Sequence, residues 1–324
     1  MKIVVLDGRT MSLHNDLSLS GLFRFGTVEI YPHTMPDEVA LRCRGAEIVL
    51  VNKTRITNEM VDACNELRYV GLFSTGTDVI EDLDYLAKKG IVVTNVPDYS
   101  THAVAQMAFA HILHFYNRVS EHDAFVKAGK WQQQQDFCFY LEGIHALAGK
   151  TIGIVGFGKT GREVARVAKA FRMKCLVFTR TPGETEQNLC FVDFNTLLKN
   201  SDIISIHCPL NAQTRGMFSE SALVHCKKGA LLINLARGGI VDEAAICNAL
   251  QEGSIAGYGT DVAQTEPIAS DSPLLRAKNC VVTPHAAWGA WETRQRLLQE
   301  VIGNIAAFLD GRPIHVVNAL GDAI

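Results

Sequence analysis

Short runs of consecutive apolar residues alternate with longer segments of helical periodicity along the whole chain. Ten such runs are the candidate strands, at residues 2–7, 47–52, 69–73 and 91–95, and then at 151–156, 175–179, 203–208, 230–236, 255–262 and 280–285. A strand that is apolar on both faces is typical of a parallel sheet covered by helices on each side. The pattern therefore predicts an α/β fold with two parallel sheets, one for each set of strands.

A break between the two sets of strands marks the domain boundary. Pro97 cannot continue a central strand, and Ser100 or Thr101 can cap the helix that follows. Near the other end of the chain, a long apolar helix stops at Gly311. This helix can carry the chain back to the first set of strands. We therefore predict a discontinuous domain of residues 1–99 and 287–324 around a second domain of residues 100–286.

The helix predicted near residues 101–119 is apolar on almost every side. A helix on the surface of a protein shows a polar face, so this one must be covered from several directions. One interpretation is a helix between the domains that also packs against a second subunit of a homodimer. A plain core helix fits the same periodicity.

Composition excludes several classes of protein. The 324 residues carry a net charge of −3, which gives no basic surface for nucleic acid. No apolar stretch reaches the length that spans a membrane. The nine cysteines form no C-x-x-C pair, which favours reduced thiols in a cytoplasmic protein over a disulfide framework or a metal site.

A glycine-rich turn follows the strand at 151–156. Gly156, Gly158 and Gly161 form the pattern G-x-G-x-x-G at the start of a helix. The first glycine permits a tight turn, the second lets the backbone approach a pyrophosphate, and the third allows close packing of helix and strand. The free N–H groups of the helix attract the phosphates. Because strand, turn and helix follow in the right order, the motif predicts a dinucleotide site; an ordinary glycine-rich turn is the alternative.

The next strand ends without the acidic residue that usually binds the ribose 2′-hydroxyl of NAD. Thr179 stands at that position, and Arg180 follows it. A short hydroxyl side chain leaves room, and a guanidinium can pair with a 2′-phosphate. The sequence therefore favours NADP(H) over NAD(H), although an exposed loop arginine would look the same.

Three segments near the ends of later strands carry polar residues suited to catalysis. They contain Arg237, then Asp261 with Glu266, then His285. Strand ends in an open α/β sheet face the ligand crevice. An arginine there can bind a carboxylate with two parallel hydrogen bonds, and a histidine beside a carboxylate can exchange a proton near neutral pH. Together they indicate transfer of a hydride and a proton at an alcohol carbon next to a carboxylate.

The motifs GIVGFGKTG, HCPLNAQTRG, LLINLARGGIVDEAAI, GYGTDV with TEP, and TPHAAW resemble those of the D-isomer-specific 2-hydroxyacid dehydrogenases. The resemblance covers essentially the whole chain and is strongest to the glycerate dehydrogenase/hydroxypyruvate reductase branch. It implies a flavodoxin-like substrate domain, a Rossmann cofactor domain and a homodimer. It also implies that Arg237 binds the substrate, that His285 is the acid–base, and that Glu266 orients His285.

The motifs, the resemblance and the positions where this chain departs from the family pattern together predict two sets of binding residues. The predicted cofactor contacts are Thr75, Gly156, Gly158, Lys159, Thr160, Gly161, Thr179, Arg180, Cys208, Pro209, Ala236, Asp261 and Ala287. The predicted substrate contacts are Lys53, Ser74, Thr75, Gly76, Arg237, His285 and Trp288. Backbone N–H groups of the loop at 74–76 would receive the substrate carboxylate. Lys53 would reach the substrate, or it would be an ordinary solvated lysine.

The reaction expected is reduction of a small 2-oxoacid, such as glyoxylate or hydroxypyruvate, to a D-2-hydroxyacid. Two other functions are compatible with the same fold, because a fold by itself does not decide function. A dinucleotide-sensing corepressor or scaffold would carry long tails or docking arms, and a phosphoglycerate dehydrogenase-like enzyme would usually carry a regulatory extension. The chain starts at once with a strand and ends shortly after its last helix, which favours the reductase.

Overall fold

The computed structural model describes residues 1–185 and 187–318. Its strands are β1 (Lys2–Val5), β2 (Thr27–Ile30), β3 (Ile48–Val51), β4 (Tyr69–Leu72), β5 (Val92–Thr94), β6 (Thr151–Val155), β7 (Lys174–Phe178), β8 (Leu189–Phe191), β9 (Ile203–Ile206), β10 (Ala230–Asn234), β11 (Ile255–Thr260) and β12 (Cys280–Val282). Its α-helices are α1 (Val39–Arg42), α2 (Asn58–Asp62), α3 (Leu83–Lys88), α4 (Thr101–Asn117), α5 (Val119–Lys127), α6 (Lys159–Ala170), α7 (Phe194–Asn200), α8 (Glu220–Leu223), α9 (Glu243–Glu252) and α10 (Trp291–Leu309).

The chain forms two compact units. The first contains Met1–Tyr99 and the segment that begins at Gly289, and the second contains Ser100–Trp288. The assignment of substrate binding to one unit and cofactor binding to the other stays a prediction.

The first unit is built on a parallel sheet with the strand order β2-β1-β3-β4-β5. This is the flavodoxin-like order, in which the chain reverses direction across the sheet between β1 and β3. Val4, Val49, Val70 and Val93 lie on neighbouring strands and are fully buried together. The prediction of a flavodoxin-like doubly wound sheet is confirmed.

The second unit is built on a parallel sheet with the order β12-β11-β10-β9-β6-β7-β8. From β8 to β11 this is the Rossmann order, with the reversal between β6 and β9, and β12 extends it at one edge. Apolar residues of α4 and α6 cover one face, and apolar residues of α7, α8 and α9 cover the other. The predicted Rossmann architecture is confirmed.

Two strands were not predicted from the sequence. Both β2 and β8 lie at an edge of their sheet, and neither contains a fully buried residue. An edge strand pairs on one side only and has little apolar surface to bury, so its sequence shows no continuous apolar run.

The apolar helix extends over α4 and ends where Arg118 adopts a left-handed backbone, after which α5 begins. Ala105, Ala108, Phe109, Ile112 and Tyr116 are buried within the second unit. The exposed positions of α4 form a narrow stripe at residues 102, 106, 110 and 117. Core packing therefore accounts for most of its apolar surface, and its role in dimerisation stays a prediction.

The C-terminal helix α10 packs in the first unit, where the ring of Phe308 lies 4.8 Å from that of Tyr69. The chain after α10 is also bonded there, because Asn318 accepts a hydrogen bond from the amide of Val93 (2.9 Å) and donates one to the carbonyl of Ile91 (2.8 Å).

Candidate active site

The strand register of the second unit brings the predicted site loops to one edge of the sheet. Phe178, Val155, Ile206, Asn234, Thr260 and Val282 form one row across neighbouring strands. The glycine turn begins one residue beyond this row and Asp261 stands one residue beyond it. Arg237 and His285 each stand three residues beyond it. Because parallel strands end on the same side, these loops leave the sheet together.

The three glycines of the turn have different surroundings. Gly156 has φ of +94°, and a Cβ there would lie 2.7 Å from the backbone of His207 and Cys208. A Cβ on Gly161 would lie 2.2 Å from the carbonyl oxygen of Gly156, so α6 can pack this close to the turn only with glycine. A Cβ on Gly158 would meet no protein atom within 4 Å. The space next to Gly158 is therefore open to a ligand.

This difference predicts opposite effects for two alanine substitutions. We expect Gly158→Ala to leave the melting temperature unchanged but to weaken dinucleotide binding by at least about tenfold, because the new methyl group occupies ligand space. Gly161→Ala should lower the melting temperature, because its methyl group meets backbone. Tryptophan fluorescence quenching and thermal unfolding measure the two effects. Gly303→Ala, which also meets no protein atom, is the control; unchanged binding in Gly158→Ala would contradict the assignment.

A cavity of about 720 Å³ adjoins the glycine turn. It is lined by Gly156 and Gly158, by Thr179 and Arg180 after β7, and by the segment after β9 that contains Cys208 and Pro209. This volume is within the range of small-molecule sites. Lys159 and Thr160 open α6 beside it. The structure therefore brings together these predicted cofactor residues.

Sequence reasoning missed His207 in the wall of the same cavity. The imidazole contacts the Ser205 hydroxyl at 2.7 Å, and burial lowers the pKa of His207 to about 4. The side chain is therefore neutral at pH 7. The polar residue His207 at a strand end was the available signal, since it belongs to the quoted HCPLNAQTRG motif.

His285 and Glu266 form a direct pair, with 2.6 Å between Nδ1 of the imidazole and Oε2 of the carboxylate. About a quarter of the His285 side chain and a third of the Glu266 side chain are exposed. The other carboxylate oxygen of Glu266 accepts a hydrogen bond from the amide of Ala263 (3.2 Å). This arrangement fixes the ring orientation and leaves Nε2 as the nitrogen that can exchange a proton with a ligand.

The backbone of His285 is left-handed, with φ of +52°. This conformation costs roughly 1–2 kcal/mol for a residue other than glycine, so it needs support from its surroundings. Asp261 provides three hydrogen-bond acceptors. Its carbonyl accepts from the amide of His285 (2.9 Å), and its carboxylate oxygens accept from the amides of Ala286 and Ala287 (2.8 Å each). Buried Asp261 therefore holds the loop that presents the histidine.

Arg237 lies half-buried in the loop after β10, and its guanidinium donates to the carbonyl of Ala236 (2.9 Å). Asn234 shapes this loop, accepting from the amide of Ala236 (3.1 Å) and donating to the carbonyl of Arg237 (3.0 Å). A Cβ on Gly238 would lie 2.0 Å from the Ala263 carbonyl. The loops that carry Arg237 and Glu266 thus approach each other closely. Sequence reasoning did not assign these roles to Asn234 and Gly238.

The predicted residues of the first unit lie at the carboxyl edge of its own sheet. Val51 and Leu72 are paired on β3 and β4, and Lys53 and Ser74 each follow two residues later. The buried carboxylate of Asp7 accepts hydrogen bonds from the amides of Asn52, Lys53 and Thr54. The Ser74 hydroxyl donates to the carbonyl of Gly76 (2.6 Å), and the Thr75 hydroxyl donates to the carbonyl of Val96 (2.7 Å).

The described residues contain no candidate metal centre and no candidate membrane span. No group of three or more histidine, cysteine, aspartate or glutamate side chains there could hold a metal ion. No helix within residues 1–185 and 187–318 is long and apolar enough to cross a membrane. Trp288, the last predicted substrate contact, is half-buried at the end of the second unit.

Comparison with known proteins connects this geometry to a family. Residues 109–287 match the model of the D-isomer specific 2-hydroxyacid dehydrogenase, NAD binding domain. The chain is 38% identical over 323 residues to a hydroxypyruvate reductase of Blautia hydrogenotrophica, covering 98% of this chain and 100% of the relative. It is 35% identical to a glycerate dehydrogenase of Methylorubrum extorquens, covering 88% and 89%.

Solved structures share the fold over nearly the whole chain. An acyclic imino acid reductase in complex with NADPH and D-Arg is 31% identical with a TM-score of 0.86, covering 98% of this chain and 100% of that one. A D-lactate dehydrogenase from Aquifex aeolicus, complexed with NAD and lactic acid, is 29% identical with a TM-score of 0.83 and full coverage of both chains. One relative thus holds NADPH and the other NAD.

Proposed function

Since the chain belongs to the D-isomer specific 2-hydroxyacid dehydrogenase family, and resembles its glycerate dehydrogenase/hydroxypyruvate reductase branch, we propose that it reduces small 2-oxoacids to D-2-hydroxyacids with NAD(P)H. The observation that carries the proposal is the pair of His285 and Glu266 at 2.6 Å, on the same sheet edge as a glycine turn open to a dinucleotide. Hydroxypyruvate and glyoxylate are the proposed substrates, because hydroxypyruvate reductases and glyoxylate reductases are among the similar proteins.

Each predicted catalytic residue of the second unit has a separate role in the proposed reaction. When bound, the reduced nicotinamide supplies the hydride that adds to the keto carbon. His285 donates a proton from Nε2 to the carbonyl oxygen, while Glu266 holds the ring through Nδ1. The Arg237 guanidinium binds the substrate carboxylate and keto oxygen. Gly156, Gly158 and Gly161, with the first N–H groups of α6, bind the pyrophosphate.

The remaining predicted contacts are part of the same proposal. Ala236, Asp261 and Ala287 lie in the loops nearest the catalytic pair and would border the nicotinamide. Lys53, Ser74, Thr75, Gly76 and Trp288 would surround the substrate, with Thr75 also near the nicotinamide. The supporting observation is that each of these residues lies on a loop at, or near, the carboxyl edge of its own sheet.

We propose NADP(H) as the preferred cofactor. Arg180 is exposed and lines the cavity with Thr179, and the threonine leaves no carboxylate to repel a 2′-phosphate. An exposed cation beside this cavity, with no carboxylate at position 179, supports binding of the 2′-phosphate.

A substrate and cofactor screen tests the proposed reaction. NADH and NADPH are each combined with glyoxylate, hydroxypyruvate, pyruvate and phosphohydroxypyruvate, and oxidation is followed by nicotinamide absorbance. We expect turnover with NADPH as the cofactor and with glyoxylate or hydroxypyruvate as the substrate. Activity only with phosphohydroxypyruvate would favour the phosphoglycerate dehydrogenase-like alternative. Dinucleotide binding without turnover of any oxoacid would favour the corepressor or scaffold.

Replacement of one arginine tests the cofactor preference. We expect Arg180→Leu to raise the KM for NADPH by roughly 10- to 100-fold, because one or two charge-assisted hydrogen bonds to the 2′-phosphate are lost. The KM for NADH should change less than about twofold, because NADH has no such phosphate. Arg296→Leu, at an exposed site on α10, is the charge-matched control. A wild-type preference for NADH would overturn the interpretation of Thr179 and Arg180.

We also propose that the protein is a cytoplasmic homodimer. All nine cysteines lie among the described residues as free thiols, as a reducing compartment permits. Phe137 and Tyr140, in the irregular segment after α5, are 91% and 79% exposed. Both lie in one exposed segment, and exposed apolar patches are typical of protein interfaces. Sedimentation equilibrium should give twice the mass of one chain, and a monomer at micromolar concentration would contradict the proposal.

A further inference from the structure

A buried histidine on α4 contacts the loop of the acid–base histidine through two other side chains. His111 is only 3% exposed, and its Nε2 lies 3.2 Å from the hydroxyl oxygen of Thr283. The same hydroxyl lies 2.6 Å from Oδ1 of Asp261. Asp261 in turn accepts the amide hydrogen bonds of residues 285, 286 and 287.

The direction of these hydrogen bonds follows from their chemistry. A carboxylate can only accept, so the Thr283 hydroxyl donates its hydrogen to Asp261. The hydroxyl oxygen is then free to accept a hydrogen bond from Nε2–H of His111. Burial lowers the pKa of His111, while nearby Asp261 raises it and His114 lowers it. The net effect is a lowered pKa for His111, mainly through burial, which favours the neutral ring. Donation to the Thr283 hydroxyl then requires the ring hydrogen on Nε2.

The sequence provides the space for this imidazole. Gly259 lies on β11 next to α4, and a Cβ there would stand 2.9 Å from Nδ1 of His111 and 3.1 Å from its Cβ. An alanine at position 259 would therefore push the ring of His111 away. The position of His111 on the helix therefore depends on glycine at position 259 of the strand.

We propose that His111 is a positioning residue for His285: it orients the Thr283 hydroxyl, which orients the Asp261 carboxylate, which holds the left-handed loop of the catalytic histidine. The inference depends on the proposed function for its kinetic consequence. The chain of contacts itself depends only on the fold.

The alternative hypothesis is that His111 is a buried residue that contributes to stability alone. The two hypotheses predict different effects of a substitution on kcat and on local hydrogen exchange. We expect His111→Met, which keeps the volume but removes the donor, to lower kcat by roughly 10- to 100-fold through misplacement of the acid–base. The Kd for NADPH should change much less than kcat, because the glycine turn and the rest of the cavity at residues 156–158 and 208–209 are not part of this chain of contacts. His111→Gln, whose amide can donate near the Nε2 position, should recover most of the rate. Thr283→Val should lower kcat similarly, and combining it with His111→Met should add little, since both break one connection.

Hydrogen exchange gives a readout that needs no turnover. In His111→Met we expect faster exchange at the amides of residues 285–287, and unchanged exchange in the glycine turn at 156–161. The control is Phe109→Leu, a buried substitution on the same helix outside this chain of contacts. It should lower the melting temperature without changing kcat or local exchange.

The outcomes separate the two hypotheses. Wild-type kcat and wild-type exchange in His111→Met would overturn the positioning role, as would exchange that rises throughout the second unit, or a loss of kcat that Phe109→Leu reproduces. If the wild-type protein reduces no 2-oxoacid, the proposed function fails. The exchange at residues 285–287 then still decides whether His111 supports the loop.

Discussion

His285→Ala should lower kcat by at least about 10²-fold while the Kd for NADPH stays within about twofold of wild type. The imidazole is the only proton donor that we assign to the reaction, and a positioned acid–base group contributes roughly 10²- to 10⁴-fold. Replacement of its partner Glu266, 2.6 Å away, should lower kcat less. Glu266→Gln keeps a polar group against the ring but loses the charge, so we expect a kcat between those of the wild type and His285→Ala. Steady-state kinetics with NADPH and hydroxypyruvate, together with fluorescence titration, measure the two quantities.

The chain contains a matched control for this substitution. His102 also pairs with a carboxylate, at 2.9 Å from Glu163, but its side chain is 71% exposed at the start of α4 and is assigned no part in the reaction. His102→Ala should leave kcat within about twofold of wild type. If His285→Ala retained the wild-type rate across neutral pH, the assignment of His285 as the acid–base would be wrong, whatever the result for His102→Ala.

Arg237→Leu should lower kcat/KM by about 10³-fold or more, because two charge-assisted hydrogen bonds to the substrate carboxylate and keto oxygen are lost. Arg237→Lys keeps the charge but not the planar pair of donors. We therefore expect it to recover only part of the loss, to roughly 10²-fold below wild type. Initial rates over a range of oxoacid concentrations give kcat and KM separately.

Two comparisons make this result specific. Arg276→Leu removes an exposed arginine of the same unit and should leave kcat/KM unchanged. The Kd for NADPH should also be unchanged in Arg237→Leu, because this side chain is assigned to the substrate. A variant that lost cofactor affinity and kept its KM for the oxoacid would place Arg237 in the cofactor site instead.

Much of the fold could be predicted because the central strands are apolar on both faces. The five strands β3, β4, β6, β9 and β10 contain almost only buried residues, and each produced a continuous apolar run. The edge strands β2 and β8 bury less surface and left no such signal. Two predicted strands were also too long. The predicted strand at 230–236 ends at Asn234 in β10, and the predicted strand at 280–285 ends at Val282 in β12.

The sequence by itself determined the glycine turn and showed that Thr179 stands where an acidic residue is usual, because each depends on residues that lie close along the chain. The pairing of Glu266 with His285 was implied by the resemblance to a known family. Only the tertiary structure decided that one strand register aligns these loops, that Asp261 holds the backbone of His285, and that His111 reaches Thr283 across 172 positions. The physical reason is that a hydrogen bond requires two atoms within about 3 Å in a defined direction. Local patterns of hydrophobicity specify which residues are buried, but they carry no information on which buried partners meet.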